Sequence, residues 1–134
     1  MHVKKAGCAT SQLSEENNMS KGILYLVELQ VSEGKEEALR KLAQEMVEST
    51  AKEPGTLHYH WALNDNICHT IEHYDSNEAT FDHLNTFNEK FADRFMALGT
   101  VTSCTVYGEP NEAVKTILDG FGSTYMTTVS SFSR

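Results

Sequence analysis

The chain has no long apolar run and comparatively few basic residues. Against 11 Lys and Arg it carries 19 Asp and Glu, a net charge of -8 over 134 residues. This excess of negative charge argues against a nucleic-acid backbone or an anionic membrane as the partner. No apolar stretch is long enough to span a bilayer, and the polar N-terminal region lacks the apolar core of a secretion signal. We therefore expect a cytoplasmic protein of one ordinary domain, long enough to bury a core.

Cysteine is also scarce. The chain has three cysteines, Cys8, Cys68 and Cys104, which are widely spaced and odd in number. This spacing matches no metal-binding or redox motif. We expect all three to behave as small apolar residues in a reducing compartment.

What the chain does have is one stretch rich in aromatic residues and histidine. Gly55–His83 contains the only tryptophan and five of the six histidines. Apolar and polar residues alternate through it, and Asn64-Asp65-Asn66 is a turn signal, so the pattern predicts a β-hairpin. If Asp65-Asn66 forms a two-residue turn, the facing pairs are His58 with His73, Ala62 with His69, and Trp61 with Thr70.

Because side chains alternate along a strand, this hairpin has two different faces. The histidine face carries His58, His60, His69 and His73. The aromatic face carries Tyr59, Trp61, Glu72 and Tyr74. Several histidines on neighbouring strands can converge on a metal ion, but we expect no acidic or thiolate ligand to join them on that face. We favour histidines packed between two sheets and predict no metal site.

The rest of the chain predicts a small α+β domain. Strands are expected at 23–31 and 101–107, and helices at 35–53, ended by Pro54-Gly55, and from the cap candidates at 75–77 to about Ala97. The second helical region has an apolar stripe bordered by His83 and made of Leu84, Phe87, Phe91, Phe95 and Leu98. With the hairpin, the order is strand, helix, strand, strand, helix, strand, the ferredoxin-like split βαβ arrangement with a four-stranded antiparallel sheet.

Three segments are expected along the chain. Residues 1–20 form a disordered leader and residues 21–108 the domain. Residues 109–134 form a short helix, roughly 112–118, and a tail that packs on the domain or on a partner subunit. Ser123–Phe132 in this tail is rich in Thr, Tyr and Val and could form a strand outside the four-stranded sheet. A sheet with helices on one face leaves the other face open, and a partner sheet is the usual remedy.

Three parts of the sequence together resemble the antibiotic biosynthesis monooxygenase (ABM) domain. They are Leu24–Gly34, Pro54–Tyr59, and the segment from Glu72–Ala79 to His83-Leu84. The resemblance covers about residues 22–107. It implies a homodimeric α+β barrel in which two four-stranded sheets face each other, with a cleft between sheet and helices in each subunit.

The resemblance also implies an activity. Members of the family include enzymes that oxidise quinols or polycyclic phenols with molecular oxygen and without metal or flavin. We therefore expect a small aromatic substrate, O2 and no cofactor, in a cleft lined by aromatic side chains. The substrate-binding candidates are Tyr59, Trp61, Glu72, Tyr74 and Phe87. His83 is the candidate general base, because the unperturbed pKa of histidine lies near neutrality.

Other interpretations remain open at this stage. The main alternative is a non-catalytic ligand-binding or stress-related dimer on the same fold. A branch of the superfamily degrades haem, but its first-strand Asn falls at about Val27, its helix Trp falls at about His83, and no histidine follows His83 as an axial ligand, so the sequence disfavours haem degradation. A third is a metal- or haem-binding protein that uses the histidine face. His83 and the aromatic residues could also be ordinary core residues.

Overall fold

The computed structural model describes residues 22–134, so the predicted leader at 1–20 lies outside the described residues. Within that part, five strands and four helices follow one another along the chain. In chain order they are β1 (Ile23–Val31), α1 (Glu36–Thr50), β2 (Thr56–Asn64), β3 (Ile67–Tyr74), α2 (Asn77–Lys90), α3 (Ala92–Met96), β4 (Gly99–Tyr107), α4 (Glu112–Asp119) and β5 (Thr124–Met126).

The strands form one mixed sheet in the order β2-β3-β1-β4-β5. The first four strands are antiparallel neighbours, which is the predicted split βαβ topology, so the α+β, ferredoxin-like fold class is confirmed. The predicted strand count is wrong by one. β5 pairs in parallel with β4 and extends the sheet, because the C-terminal chain returns along an edge that would otherwise be open.

The hairpin forms in the predicted register. His58 pairs with His73, Trp61 with Thr70, and Ala62 with His69. Asp65 turns the chain with a φ of 53°, a left-handed conformation that Asp tolerates well. The alternation breaks only at the start of β2, where a bulge at Leu57 leaves that side chain 58% exposed rather than in the core.

The helices cover one face of the sheet and bury its inward residues. α1 presents Leu39, Leu42 and Met46 to the core at helical spacing. α2 begins at Ser76, whose side chain accepts a hydrogen bond from the backbone N–H of Ala79 at 3.1 Å. The predicted single helix to Ala97 is divided at Phe91, where the backbone leaves helical geometry (φ -126°).

The C-terminal segment packs on this same domain. α4 lies beside α2, and the backbone N–H of Asn111 donates to Asn77 Oδ1 at 2.8 Å. Asn111 in turn caps α4 by accepting from Val114 N at 3.0 Å. β5 then runs along β4, so these elements enclose one end of the core. Across residues 22–134, no helix is long and apolar enough to cross a membrane.

Candidate active site

A small cavity lies between the sheet and the helices, on the aromatic face of the hairpin. The volume open to the centre of a water-sized sphere is about 20 Å³, which is enough for about one water molecule. Its lining comes from every layer of the domain: Tyr25, Val27, Met46, Tyr59, Trp61, Thr70, Glu72, His83, Leu84, Phe87, Phe95 and Phe121. The wall is mostly apolar and aromatic, with a few polar groups, as is typical of small-molecule sites.

His83 is the central polar residue of this wall. It lies on the buried side of α2, and only 4% of its surface is exposed. Its Nδ1 is 3.0 Å from Glu53 Oε1, whereas its Nε2 is 3.4 Å from Glu72 Oε1. The imidazole therefore lies between two carboxylates, one in the loop after α1 and one on β3.

Glu72 is as deeply buried as His83 and is well supplied with hydrogen-bond donors. The hydroxyl of Thr70 donates to its Oε2 at 2.8 Å, and the hydroxyl of Tyr74 donates to its Oε1 at 2.6 Å. A carboxylate at 5% exposure needs such donors to remain charged. Glu72 Oε1 accepts from Tyr74 and lies 3.4 Å from His83 Nε2, whereas Glu53 Oε1 lies 3.0 Å from His83 Nδ1. The imidazole is therefore held less firmly at Nε2 than at Nδ1.

The two central groups shift each other's proton affinity. Burial disfavours the imidazolium, but the hydrogen bond to Glu53, the contact with Glu72 and the two carboxylate charges outweigh burial and raise the pKa of His83 to about 9. Burial likewise disfavours the Glu72 carboxylate, but His83 and the hydroxyls of Tyr74 and Tyr25 lower its pKa below the usual value. At neutral pH the site therefore holds an imidazolium and ionised Glu72.

The three tyrosines around Glu72 stay neutral. Burial, followed by the charge of Glu72, raises the pKa of Tyr25, Tyr59 and Tyr74 well above the ordinary value. The rings of Tyr59 and Tyr74 pack against His83, with centroid distances of 5.3 and 5.1 Å. The neutral phenols pack in this site, and that of Tyr74 also donates a hydrogen bond to Glu72.

The indole of Trp61 has unused hydrogen-bonding capacity. It lines the cavity and packs edge-on against Phe95, with a centroid distance of 5.9 Å. Its Nε1 is buried and finds no hydrogen-bond partner within residues 22–134. The Trp61 N–H lies near enough to the Tyr59 hydroxyl to lower its pKa, yet the two do not adopt hydrogen-bonding geometry. A buried donor without a partner is costly and is often explained by a function.

The structure brings the predicted site residues together. His83, Tyr59, Trp61, Glu72 and Phe87 all line the cavity. The sixth candidate, Tyr74, does not line the cavity; it contacts two residues that do, through its hydrogen bond to Glu72 and the packing of its ring against His83. His83 was predicted as a base with the ordinary pKa of histidine. That pKa is wrong, because two carboxylates flank the ring.

Two important residues were missed from the sequence. Glu53 is the closest partner of His83, but it follows a helix in a charged segment and had no distinguishing pattern. Phe121 lies after α4, outside the ABM-like region, and closes the cavity against Phe87 with a centroid distance of 6.1 Å. Phe95 could have been chosen from the apolar stripe of the second helical region, since that stripe faces the core.

The histidine face has a different arrangement. His58 and His60 are exposed and stack at a centroid distance of 5.8 Å. His69 Nε2 lies 3.1 Å from Glu28 Oε2 on β1, so a carboxylate does join this face, from a strand outside the hairpin. In the part of the chain that the structure describes, no three His, Cys, Asp or Glu residues form a group that could hold a metal ion. Cys68 and Cys104 are buried free thiols, and Cys8 is outside the described residues.

Fold and site together define a ferredoxin-like α+β domain with an aromatic cavity and a buried acid–base pair. The sequence model of the antibiotic biosynthesis monooxygenase family matches residues 23–95. Because this match spans more than half of the chain, the chain belongs to that family. No curated protein matches the sequence significantly.

Solved structures support the same fold. MupZ from Pseudomonas fluorescens is 24% identical, with a TM-score of 0.73, and the match covers 85% of this chain and 90% of that one. A conserved protein from Methanosarcina mazei Go1 is 21% identical, with a TM-score of 0.61 and coverage of 70% and 98%. Rv0793 from Mycobacterium tuberculosis is 21% identical, with a TM-score of 0.54 and coverage of 69% and 98%. At these identities the likeness concerns the fold alone.

Proposed function

We propose that the protein is a cofactor-independent monooxygenase that oxidises a small aromatic, quinol-like substrate with molecular oxygen. The observation that carries this proposal is the His83–Glu72 pair, buried on the wall of an aromatic cavity. Family membership supports the same class of activity. Tyr59, Trp61 and Phe87 would hold the flat ring, and the unpaired indole N–H of Trp61 would donate to a substrate oxygen.

In this proposal His83 is the general base, and the flanking carboxylates set its strength. A phenolic hydroxyl has a pKa of about 10, so a base with a pKa of about 9 takes its proton with little free-energy cost. A histidine with the unperturbed pKa of about 6.5 would be a much weaker base for this proton. The consequence is a small active fraction at neutral pH, because the base form of His83 accounts for about one molecule in a hundred at pH 7.

The reaction needs no external reductant. His83 removes the hydroxyl proton, and the resulting phenolate passes an electron to O2 and then combines with it at a ring carbon. The His83 imidazolium returns its proton to the outer oxygen as the O–O bond breaks, and the ring C–H proton completes the water that leaves. The simplest quinol and O2 would give hydroxyquinone and water, with all four electrons supplied by the quinol. The protein binds, deprotonates and excludes bulk water.

Substrate binding requires the cavity to enlarge. Its present space fits about one water, which is too little for an aromatic ring. Phe121 is the wall residue that can move most easily, because it lies in a turn between Gly120 and Gly122 and is only partly buried. Gly122 has a φ of +71°. Tyr74 and Glu72 lie on a central strand pair and would remain fixed.

We also propose a cytoplasmic homodimer that forms through the open face of the sheet. Leu24 and Tyr107 lie on outward positions of β1 and β4 with 36% and 40% of their surfaces exposed. Exposed apolar residues that share a sheet face with histidines are suited to a second copy of that face. The small aromatic substrate and O2 complete the set of proposed partners.

Oxygen uptake with a panel of quinols and phenols tests the proposed reaction. We expect turnover with at least one quinol in metal-free buffer, and a kcat/KM that rises with pH toward a plateau above about pH 9, because the base form of His83 is required. His83→Gln should lose at least about 100-fold, the usual contribution of a general base.

A matched control is His60→Gln, which removes an exposed histidine from the other face of the sheet. It should keep full turnover. If kcat/KM instead declined from pH 6 to pH 9, or if His83→Gln remained active, the assignment of His83 as base would be rejected.

The second candidate is a non-catalytic ligand-binding or stress-related dimer. The protonation state of His83 favours it, because a pKa of about 9 leaves the ring at neutral pH mainly as an imidazolium between two carboxylates, which cannot accept a proton. The two candidates differ in oxygen consumption. Quinols that bind and protect the protein against thermal unfolding, but cause no oxygen uptake at any pH, would favour the binding protein.

A further inference from the structure

Glu53 is the residue that holds His83 most closely. Its two carboxylate oxygens lie 3.0 and 3.3 Å from His83 Nδ1. Its side chain is 20% exposed, whereas that of His83 is 5% exposed, so Glu53 lies between the buried ring and solvent. The opposite nitrogen, Nε2, has only the 3.4 Å contact with Glu72.

The backbone around Glu53 fixes this arrangement. The Glu53 N–H donates to Thr50 O at 3.0 Å, and the Thr56 hydroxyl donates to Glu53 Oε1 at 2.9 Å. Gly55 allows the turn to lie directly against α2, because a side chain there would collide with Ala79. The Asp75 N–H also donates to Gly55 O at 2.9 Å. The backbone of the turn is therefore fixed against α2, and the Thr56 hydroxyl holds the carboxylate itself beside the imidazole.

We propose that Glu53 is a positioning residue that keeps the His83 proton on Nδ1 and so leaves Nε2 as the reactive nitrogen. A carboxylate on one ring nitrogen fixes the tautomer of a neutral imidazole and raises its basicity. This inference rests on the proposed function, in which His83 accepts the substrate proton. It adds the atom that does so and the residue that selects it.

Two carboxylates compete for the one proton of the neutral ring. Glu53 favours Nδ1–H and Glu72 favours Nε2–H, while the phenols of Tyr59 and Tyr74 pack against the ring and Tyr25 contacts Glu72. Distance decides for Glu53, since 3.0 Å is a hydrogen bond and 3.4 Å is a weak one. Each of these oxygens already accepts one hydroxyl hydrogen bond, Glu53 Oε1 from Thr56 and Glu72 Oε1 from Tyr74, so the distance to the ring is what separates them.

The test is the ring tautomer, measured by NMR of ¹⁵N-labelled histidine in the intact protein without any substrate. Above the pKa of His83 we expect the Nδ1–H form to dominate. A dominant Nε2–H form would overturn the proposal. Because no substrate is involved, this outcome is separate from that of the oxygen-uptake experiment, which tests the reaction itself.

Glu53→Gln tests the cause. The amide keeps the size of the side chain but loses the charge, so we expect the His83 pKa to fall by at least about one unit and the Nδ1–H preference to weaken. Glu48→Gln, on the exposed side of α1, removes the same charge and should change neither quantity. Equal His83 pKa values in Glu53→Gln and Glu48→Gln would also overturn the proposal. If a quinol is turned over, the rise of kcat/KM with pH should move to lower pH in Glu53→Gln alone.

Discussion

The pKa values of two histidines of this domain, His83 and His73, shift in opposite directions because the two rings have different neighbours. His83 contacts two carboxylates, and its pKa is raised to about 9. His73 lies on the open face of the sheet, where burial, followed by the charge of His58, lowers its pKa. Both are partly or wholly removed from water, so burial alone would lower both. The neighbours decide which histidine is charged at neutral pH.

The comparison extends to the two faces of β3. Glu72 and His73 are adjacent on this strand, so Glu72 points into the buried site and His73 points to the open surface. On the buried side each polar atom matters, because an unpaired charge there has a large desolvation cost. On the open side water can replace a lost partner. Substitutions on the buried face should therefore have larger effects than substitutions on the open face.

The largest effect is expected for Glu72→Ala. It removes the shared acceptor of Thr70, Tyr74 and His83 and leaves a buried imidazolium with Glu53 alone. We expect the free energy of unfolding at pH 7 to fall by about 3–5 kcal/mol, as for other broken buried ion pairs. Urea unfolding measures it. Glu72→Gln keeps the size and part of the hydrogen bonding and should lose clearly less. Equal losses would show that the charge, which both variants remove, determines the effect, and that the size and hydrogen bonding kept by Gln contribute little.

The second effect is a loss of stability with rising pH. The folded pKa of His83 lies above its ordinary value of 6.5, so between these values the native state holds one more proton than the unfolded state. The stabilisation is complete below about pH 6.5 and is lost as pH rises through about 9. Between pH 6.5 and 8.5 we expect the free energy of unfolding to fall by about 2 kcal/mol.

The same measurement on two variants assigns this pH dependence. His83→Gln should remove it, although that variant is expected to be less stable overall. His60→Gln, on the exposed face, should retain it. A pH dependence that survives in His83→Gln would mean that another group carries it.

The local parts of this architecture could be predicted from the sequence. The alternation through β2 and β3 and the Asp65-Asn66 turn are local signals, and they predicted the register and both faces of the hairpin. The helical stripe likewise placed His83 and Phe87 toward the sheet. These signals depend on residues a few positions apart, which is the range that periodicity can describe.

The distant partners could not be predicted in the same way. The closest contact of His83 is with Glu53, 30 residues earlier, and no local pattern links them. Its pKa was misjudged for the same reason, since it depends on that contact. Glu28 reaches His69 across 41 residues, which brought a carboxylate to a face that had none within the hairpin. β5 and Phe121 lie beyond the region that resembled a known family.

The third prediction concerns Phe121, which closes the cavity. Phe121→Ala should lower the free energy of unfolding by about 1 kcal/mol, because the side chain is only partly buried. It should also widen the cavity and strengthen binding of the fluorescent apolar probe 8-anilinonaphthalene-1-sulfonate several-fold. Phe132→Ala is the control, since 73% of Phe132 is exposed in the tail. Similar probe binding by both variants would indicate that Phe121 does not limit access.

The smallest effect is expected on the open face, and it depends on the proposed dimer. Lowering the pH from about 7.5 to about 5 should weaken dimerisation by about threefold in Kd, because histidine side chains in general gain charge over this range and like charges would meet across two copies of the face. Sedimentation measures it. His58 and His73 face each other on β2 and β3, where like charges directly opposite repel, so they should carry most of the effect.

The double variant His58→Gln with His73→Gln should therefore dimerise equally at both pH values. His69→Gln should keep the pH dependence, because Glu28 lies 3.1 Å from His69 and balances its charge when it is protonated. An unchanged dimer at pH 5 in the unmodified protein would contradict this prediction. It would mean that the open-face histidines, unlike His83, lie where their charge affects neither folding nor assembly.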